Sequence, residues 1–361
     1  MFAFLLQVFG GVFLALILLV IVAILWDKRK KQKEAEEAKR KEEEFERELA
    51  DLESVIANEA TKVHQYNPED LQVTLSELNA LEGLAEIKNE VNELVKVAKY
   101  ELEEGEFDHK AITLHYVFTG NPGTGKTTVA RLLAQIYKAM GVLSTGQLVE
   151  VDRSGLVAGY IGQTAQLTKS KIEAAIGGVL FIDEAYGLAG KGENDFGKEA
   201  IDTILKFMED YKGEFMVIVA GYDKPMETFL SSNPGLRSRF DKKFQFEDYD
   251  LTALISILKN MFKAKGKTLS EDAEKHIREY LEQRIKSQKG DFGNARESRK
   301  IVLEALKNQK LRLADIPAEE RKNISKELIT LEDVAEFNSD ALKSNENERR
   351  PIGYDYDGED E

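Results

Sequence analysis

His115 to Arg131 reads HYVFTGNPGTGKTTVAR, and the rest of the chain is organised around it. Tyr116 to Thr119 is an apolar run with strand character, a glycine-rich turn follows, and a helix opens at Lys126. Gly120, Gly125, Lys126 and Thr127 complete the G-x-x-x-x-G-K-[ST] pattern of a phosphate-binding loop in the strand–turn–helix setting that pattern requires. The intervening Asn121, Pro122, Gly123 and Thr124 form the cradle with them, and Thr128 continues the helix. Glycines let the backbone aim its N–H groups at phosphate oxygens, and the helix presents its positive end to the same anion. Lys126 is a point charge for β- and γ-phosphates, and Thr127 a hydroxyl for Mg²⁺, so the stretch predicts ATP with magnesium.

Downstream, Gly177 to Glu184 reads GGVLFIDE: four apolar residues of a buried parallel strand, then two carboxylates. Open α/β sheets carry their chemistry at strand C-termini. Asp183 is placed to hold Mg²⁺ and Glu184 to polarise the attacking water. Phe215 to Ala220 reads as another strand leading into Gly221-Tyr222-Asp223. In Asn233 to Phe240, NPGLRSRF, Arg237 and Arg239 read as loop residues. They are either ordinary surface charge or an arginine finger that reaches the γ-phosphate held by a neighbouring subunit.

Composition bounds the alternatives. The 361 residues are 42% hydrophobic, enough for a sizeable core, and include no cysteine, which removes disulfides, thiolate metal sites and cysteine nucleophiles. A formal net charge of −15 disfavours nucleic acid as a partner. His64, His109, His115 and His276 show no metal-ligand spacing. No H-E-x-x-H occurs, so an anchored zinc protease is unsupported.

Phe2 to Trp26 carries one polar side chain, Gln7, and no charge. At about 1.5 Å per residue it is long enough for a hydrocarbon core of about 30 Å. The basic cluster Lys28, Arg29, Lys30, Lys31 and Lys33 follows the run. The positive-inside rule then predicts a single-pass anchor in the cell membrane, with everything after Trp26 in the cytoplasm. Glu34 to Gln65 reads as a charged helix, either a short coiled-coil stalk or a solvated spacer, ended by Asn67-Pro68. Leu78, Leu81, Leu84, Ile87, Val91, Leu94 and Val95 line one helical face. The expected organisation is 1–26 membrane helix, 27–72 stalk, 73–248 α/β nucleotide-binding domain, 249–340 helical lid, and 341–361 a disordered acidic tail.

With these strings assembled, the chain resembles the AAA+ ATPases, and among them the branch of CbbX and stage V sporulation protein K. The resemblance rests on GNPGTGKTTVAR, VDRSGLVAGYIGQTA, GGVLFIDEAYGL, VIVAGYDKPM, NPGLRSRF and FGNARESRK, from about Leu78 to Leu306. It implies a P-loop parallel sheet with a C-terminal helical lid, assembled with copies of itself as a ring, usually a hexamer. Arg296 falls on the position where a lid arginine touches nucleotide. Tyr160, Ile161 and Gly162 fall on a pore loop whose aromatic residue grips a client polypeptide, although Tyr160 read alone is equally a packed loop aromatic. Ala189 to Gly197 is a candidate second pore loop. Many members carry Asn where this chain has Gly221-Tyr222, so which side chain orients the attacking water stays open. The expected function is a membrane-anchored ATPase that remodels or disassembles a protein client. The alternative is a nucleotide-gated scaffold in a secretion, sporulation or defence complex.

Overall fold

The computed structural model describes residues 65–108, 112, 115–160, 162–190, 195–240, 242–287 and 292–338, with isolated positions 29, 30 and 40. The chain divides into two compact units, Met1–Thr61 and Lys62–Glu361, and the sheet, the lid and the helices numbered below all belong to the second. The predicted anchor at 1–26, most of the stalk at 27–72, His64, His109, Ile161 and the acidic tail lie outside the described residues; the end of the stalk, 65–72, is described and enters a helix at Pro68. Among the described residues no helix is long and apolar enough to cross a membrane.

Asn67-Pro68 starts a helix, where the sequence pattern predicts the end of one. The Asn67 side chain accepts from the N–H groups of Glu69 and Asp70, and Pro68 occupies the first turn of α1, Pro68–Asn79. Proline lacks only an N–H that no helix start uses, so the dipeptide suits the opening of a helix as well as its end. The predicted single face from Leu78 to Val95 is likewise two helices. Leu84 takes a left-handed φ of 62° at the start of α2, Ala85–Glu104, and breaks the register after α1.

β1 (His115–Gly120), β2 (Leu148–Val151), β3 (Val179–Ile182), β4 (Met216–Gly221) and β5 (Lys242–Phe246) form one sheet in the order β2-β3-β4-β1-β5. Every pairing is parallel. β3 and β4 are buried along their whole length, which is why they read as continuous apolar runs without alternation. α3 (Lys126–Ala139) packs its Val129, Leu133, Ile136 and Tyr137 into the core, where the Tyr137 hydroxyl meets that of Tyr116. α4 (Arg153–Leu156), capped by the Asp152 side chain on the Gly155 N–H, and α5 (Thr164–Ala175) follow β2; α6 (Gly197–Asp210) and α7 (Asp223–Ser231) follow β3 and β4.

Arg237 and Arg239 lie on a short helix, α8, Pro234–Arg239, and not in a loop. Asn233 caps it by accepting from the Gly235 N–H at 2.8 Å, with Pro234 at the first position. The sequence pattern predicts lid helices over Leu251 to Met261, Glu271 to Lys286, Asn294 to Leu313 and Leu331 to Phe337, and the lid contains α9 (Leu251–Ala264), α10 (Glu271–Ser287), α11 (Ala295–Ala314) and the shorter α13 (Leu331–Val334). Two features have no counterpart in the sequence pattern: the turn of helix α12, Ala318–Arg321, and a parallel pair of two-residue strands, β6 (Thr268–Leu269) with β7 (Leu328–Ile329). Strands that short carry no periodicity.

Asp333, in α13, ties the end of the lid to α11. It is buried, takes both Arg312 Nε at 2.8 Å and Arg312 Nη2 at 2.9 Å, and caps its own helix through the Thr330 N–H. Burial pushes its pKa up, but the Arg312 hydrogen bonds and charge and the Thr330 donors outweigh burial and hold it below the ordinary value. A carboxylate depressed in the folded state stabilises above its unfolded pKa of about 3.9, and that contribution is lost as pH falls through the folded value. Asp333→Ala is therefore expected to cost about 3–5 kcal/mol at pH 7, since it strands a half-buried guanidinium. The gap to the parent should narrow below about pH 4, as read by urea unfolding of the full chain across pH.

Candidate nucleotide site

The C-terminal ends of β1, β3 and β4 converge on a cavity of about 220 Å³. Its walls bring together Gly120, Pro122, Gly123, Gly125, Lys126, Thr127 and Thr128 with Asp183, Glu184 and Arg296, residues the sequence singled out separately. Lys126 Nζ donates to the carbonyls of Gly120 at 2.8 Å and Asn121 at 2.9 Å, so the ammonium is already folded over the loop. Burial lowers its pKa; Asp183, Asp223 and Asp248 push back, and Arg296 adds to the lowering. A group so placed gains most from an anionic ligand that restores the charge balance.

Glu184 follows β3 with φ 48° and ψ 41°, left-handed for a non-glycine residue, at a typical cost of about 1–3 kcal/mol. Its N–H donates to Asp183 Oδ1 at 3.0 Å, and its side chain is exposed to the cavity. The twist turns two consecutive carboxylates toward one space, which an extended strand would send to opposite faces. Thr127 and Asp183 supply hard oxygen donors on the same wall, the type Mg²⁺ takes alongside phosphate oxygens and water. Among the described residues no cluster of three His, Cys, Asp or Glu offers a metal cage. The donor set fits an ion that shares its ligands with a nucleotide.

The lid reaches the loop through residues that sequence reasoning missed. Asn294 is completely buried, with φ 47°. Its amide donates to Asp248 Oδ1 at 2.7 Å and Pro122 O at 3.3 Å, and its carbonyl oxygen accepts the Tyr249 N–H at 2.9 Å. Asp248 also takes both Asn121 Nδ2 contacts, at 3.0 and 2.9 Å, and the Tyr249 hydroxyl donates to Thr124 O at 3.0 Å. The Ala295 N–H donates to Gly123 O at 3.1 Å. A Cβ on Gly123 would lie 2.1 Å from the Gly293 carbonyl, so only glycine permits the approach. Arg299, one turn beyond Arg296 on α11, lines the cavity as well. Its i, i+3 spacing was visible in the sequence; the Asn121–Asp248 pairing, 127 residues apart, was not.

Asp248 and Tyr249 wall a second, larger cavity of about 630 Å³, with Glu82 to Ile87 on one side and Phe244 to Asp250 on another. Arg239 lies outside both cavities. Its guanidinium pairs with Glu209 on α6, and Arg237 donates to Ser231 Oγ at 2.6 Å. Tyr160 is 74% exposed. His115 is half-buried against Phe215 and Phe240, its pKa lowered to about 4 by desolvation and then by Arg239 and Lys212, and it accepts the Val217 N–H.

The model of the AAA family, "ATPase family associated with various cellular activities", matches residues 116–248, and that of the AAA lid domain matches 251–345. The chain belongs to the AAA ATPase family. Stage V sporulation protein K of Bacillus subtilis is 46% identical over 66% of this chain and 74% of its own length. Protein CbbX of Cereibacter sphaeroides is 40% identical over 69% of this chain and 81% of its own. The chloroplastic ribulose bisphosphate carboxylase/oxygenase activase of Cyanidioschyzon merolae is 39% identical over 64% and 76%. This AAA ATPase therefore hydrolyses ATP in a family whose phosphate loop and lid it reproduces.

Removing the Asn294 amide leaves Asp248 Oδ1 short of a donor and the Tyr249 N–H unpaired. Asn294→Ala is expected to lower stability by about 1–3 kcal/mol in urea unfolding and to weaken binding of a fluorescent ADP analogue, with Asn294→Asp worse because it sets a second carboxylate against Asp248.

Proposed function

We propose that this ATPase works as a homo-oligomeric ring, a hexamer, anchored in the cell membrane by Phe2 to Trp26. Its ATPase module lies in the cytoplasm, and it spends hydrolysis on remodelling or disassembling a protein client. The triphosphate lies along Gly120 to Thr128, with Lys126 on the β- and γ-phosphates and Arg296 closing from the lid. The larger cavity beside it takes base and ribose, since Asp248 and Tyr249, which line it, bond to Asn121 and Thr124 of the phosphate loop. Thr127 and Asp183 would hold Mg²⁺, which draws charge off the β- and γ-phosphate oxygens when bound. Glu184 accepts a proton from the water whose oxygen bonds to the γ-phosphorus. The bond from that phosphorus to the β-bridging oxygen breaks, the bridging oxygen keeps the electron pair, and ADP and phosphate leave. Arg239, with Arg237 beside it, serves the site of the next subunit, a role supported by its place outside its own cavity.

The observation that carries the remodelling reading is Tyr160. A large aromatic 74% exposed, beside Gly159 and Gly162, has no packing role to explain it. The segment that leads to it is tied to the turn after Glu184: Arg153 donates to Gly187 O in that turn at 2.5 Å, and to Asp195 at 2.7 Å. A change at Glu184 therefore has a short path to Tyr160. The relatives' names divide between a sporulation protein and an activase, so likeness in the ATPase module does not select the client.

Glu184→Gln is expected to bind ATP with near-parental affinity and to lose turnover by at least about a hundredfold. Tyr160→Ala should keep basal turnover in the same assay yet fail to complement in cells; complementation by Tyr160→Ala would favour a scaffold. Deletion of residues 1–26 should move the protein from the membrane to the soluble fraction on cell fractionation, and retention at the membrane would remove the anchor.

A further inference from the structure

Asn294 fixes where α11 begins but not how the helix is turned about its axis, and that turn decides whether Arg296 and Arg299 meet the phosphate cavity. Neighbouring residues on a helix lie about 100° apart. A rotation by one position would therefore carry Glu297 toward the phosphates in place of Arg296 and set a carboxylate against an anion.

Glu297 instead faces α10. It is 8% exposed and does not line the cavity. Its Oε1 accepts from the Tyr280 hydroxyl at 2.8 Å and lies 3.5 Å from Arg284 Nε. The Arg284 side chain is largely buried, and its Nε makes no hydrogen bond among the described residues, so the Glu297 carboxylate is the charge set beside it. Burial, and then the bond to Glu297, push the Tyr280 phenol above its ordinary value and keep it a donor. Its ring is buried too and packs on Phe337, just beyond α13, with centroids 5.5 Å apart and planes at 60°.

A buried carboxylate is costly unless it is paired and hydrogen-bonded, and an apolar residue would fill the same space without that requirement. What the carboxylate adds is direction: two polar contacts with α10 hold the first turn of α11 at one angle. Residues one or two apart on a helix do not face each other, so Glu297 does this without neutralising Arg296 or Arg299. We propose that Glu297, held by Tyr280 and Arg284, is a positioning residue that turns Arg296 and Arg299 into the nucleotide site, an inference that rests on the reading of Arg296 as a nucleotide contact.

The test uses the full chain and compares Glu297→Gln, Tyr280→Phe, the double variant Arg296→Ala/Arg299→Ala, and Glu297→Gln in that arginine-free background. Glutamine keeps the shape and an acceptor for Tyr280 and removes the charge beside Arg284; phenylalanine keeps the ring and removes the donor. Thermal unfolding checks that each variant is folded. Glu297→Gln and Tyr280→Phe are each expected to weaken binding of a fluorescent ADP analogue by about threefold to tenfold. Each should raise KM for ATP by more than it changes kcat, because Lys126 and Glu184 lie on the sheet side of the cavity. Without the two arginines, Glu297→Gln should cost less than about twofold in affinity, since nothing is left to position. Parental affinity in both single variants, beside a weakened arginine double variant, would overturn this proposal alone. A full loss repeated in the arginine-free background would also overturn it, by reducing Glu297 to a support of the lid fold. Parental affinity in the arginine double variant would overturn the reading of Arg296 and this proposal with it.

Discussion

A buried amide, Asn294, holds the lid against the phosphate loop, and the site depends on that contact. Its donors and acceptor engage Asp248, Pro122 and Tyr249, while its own backbone sits in a conformation asparagine tolerates better than most residues. The fully buried position makes each of these bonds costly to lose, because no water replaces them. The next residue, Ala295, donates to Gly123 and thereby fixes where α11 begins. Arg296 and Arg299 inherit their place at the cavity from that start. The lid arginines are thus positioned by a polar clasp at the helix origin, and the apolar core of α9, α10 and α11 supports it from behind.

The same arrangement concentrates strain where chemistry is expected. Glu184 and Asn294 are two of three non-glycine residues with positive φ among the described residues, and both border the phosphate cavity or its clasp. Leu84, the third, lies at the second cavity. Energy stored in these conformations is supported by a sheet whose central strands are fully buried and cannot shift to relieve it.

Legibility followed the range of the cause. The strand, loop and helix around Gly120 to Thr127 were readable because turn chemistry, apolar runs and helix starts act over a few residues. The four main lid helices were readable for the same reason. Where a local signal serves two purposes, the helix start went unread: Asn67-Pro68 opens α1 and Asn233-Pro234 opens α8. Very short elements such as β6 and β7 exist only through their partner strand.

Sequence alone determined the chemistry available: a phosphate loop, paired carboxylates after a buried strand, lid and α8 arginines, no cysteine, and an apolar run at the start of the chain. It did so because each motif packs its meaning into neighbouring residues. Tertiary structure decided which of these groups share a space. It placed Arg296 and Arg299 in the cavity and Arg239 outside it, joined Asn121 to Asn294 through Asp248, and set Tyr186 against Gly221 with Tyr222 lining the cavity. Those pairings arise from parallel strands whose order differs from their chain order, and a strand order of that kind leaves no local trace.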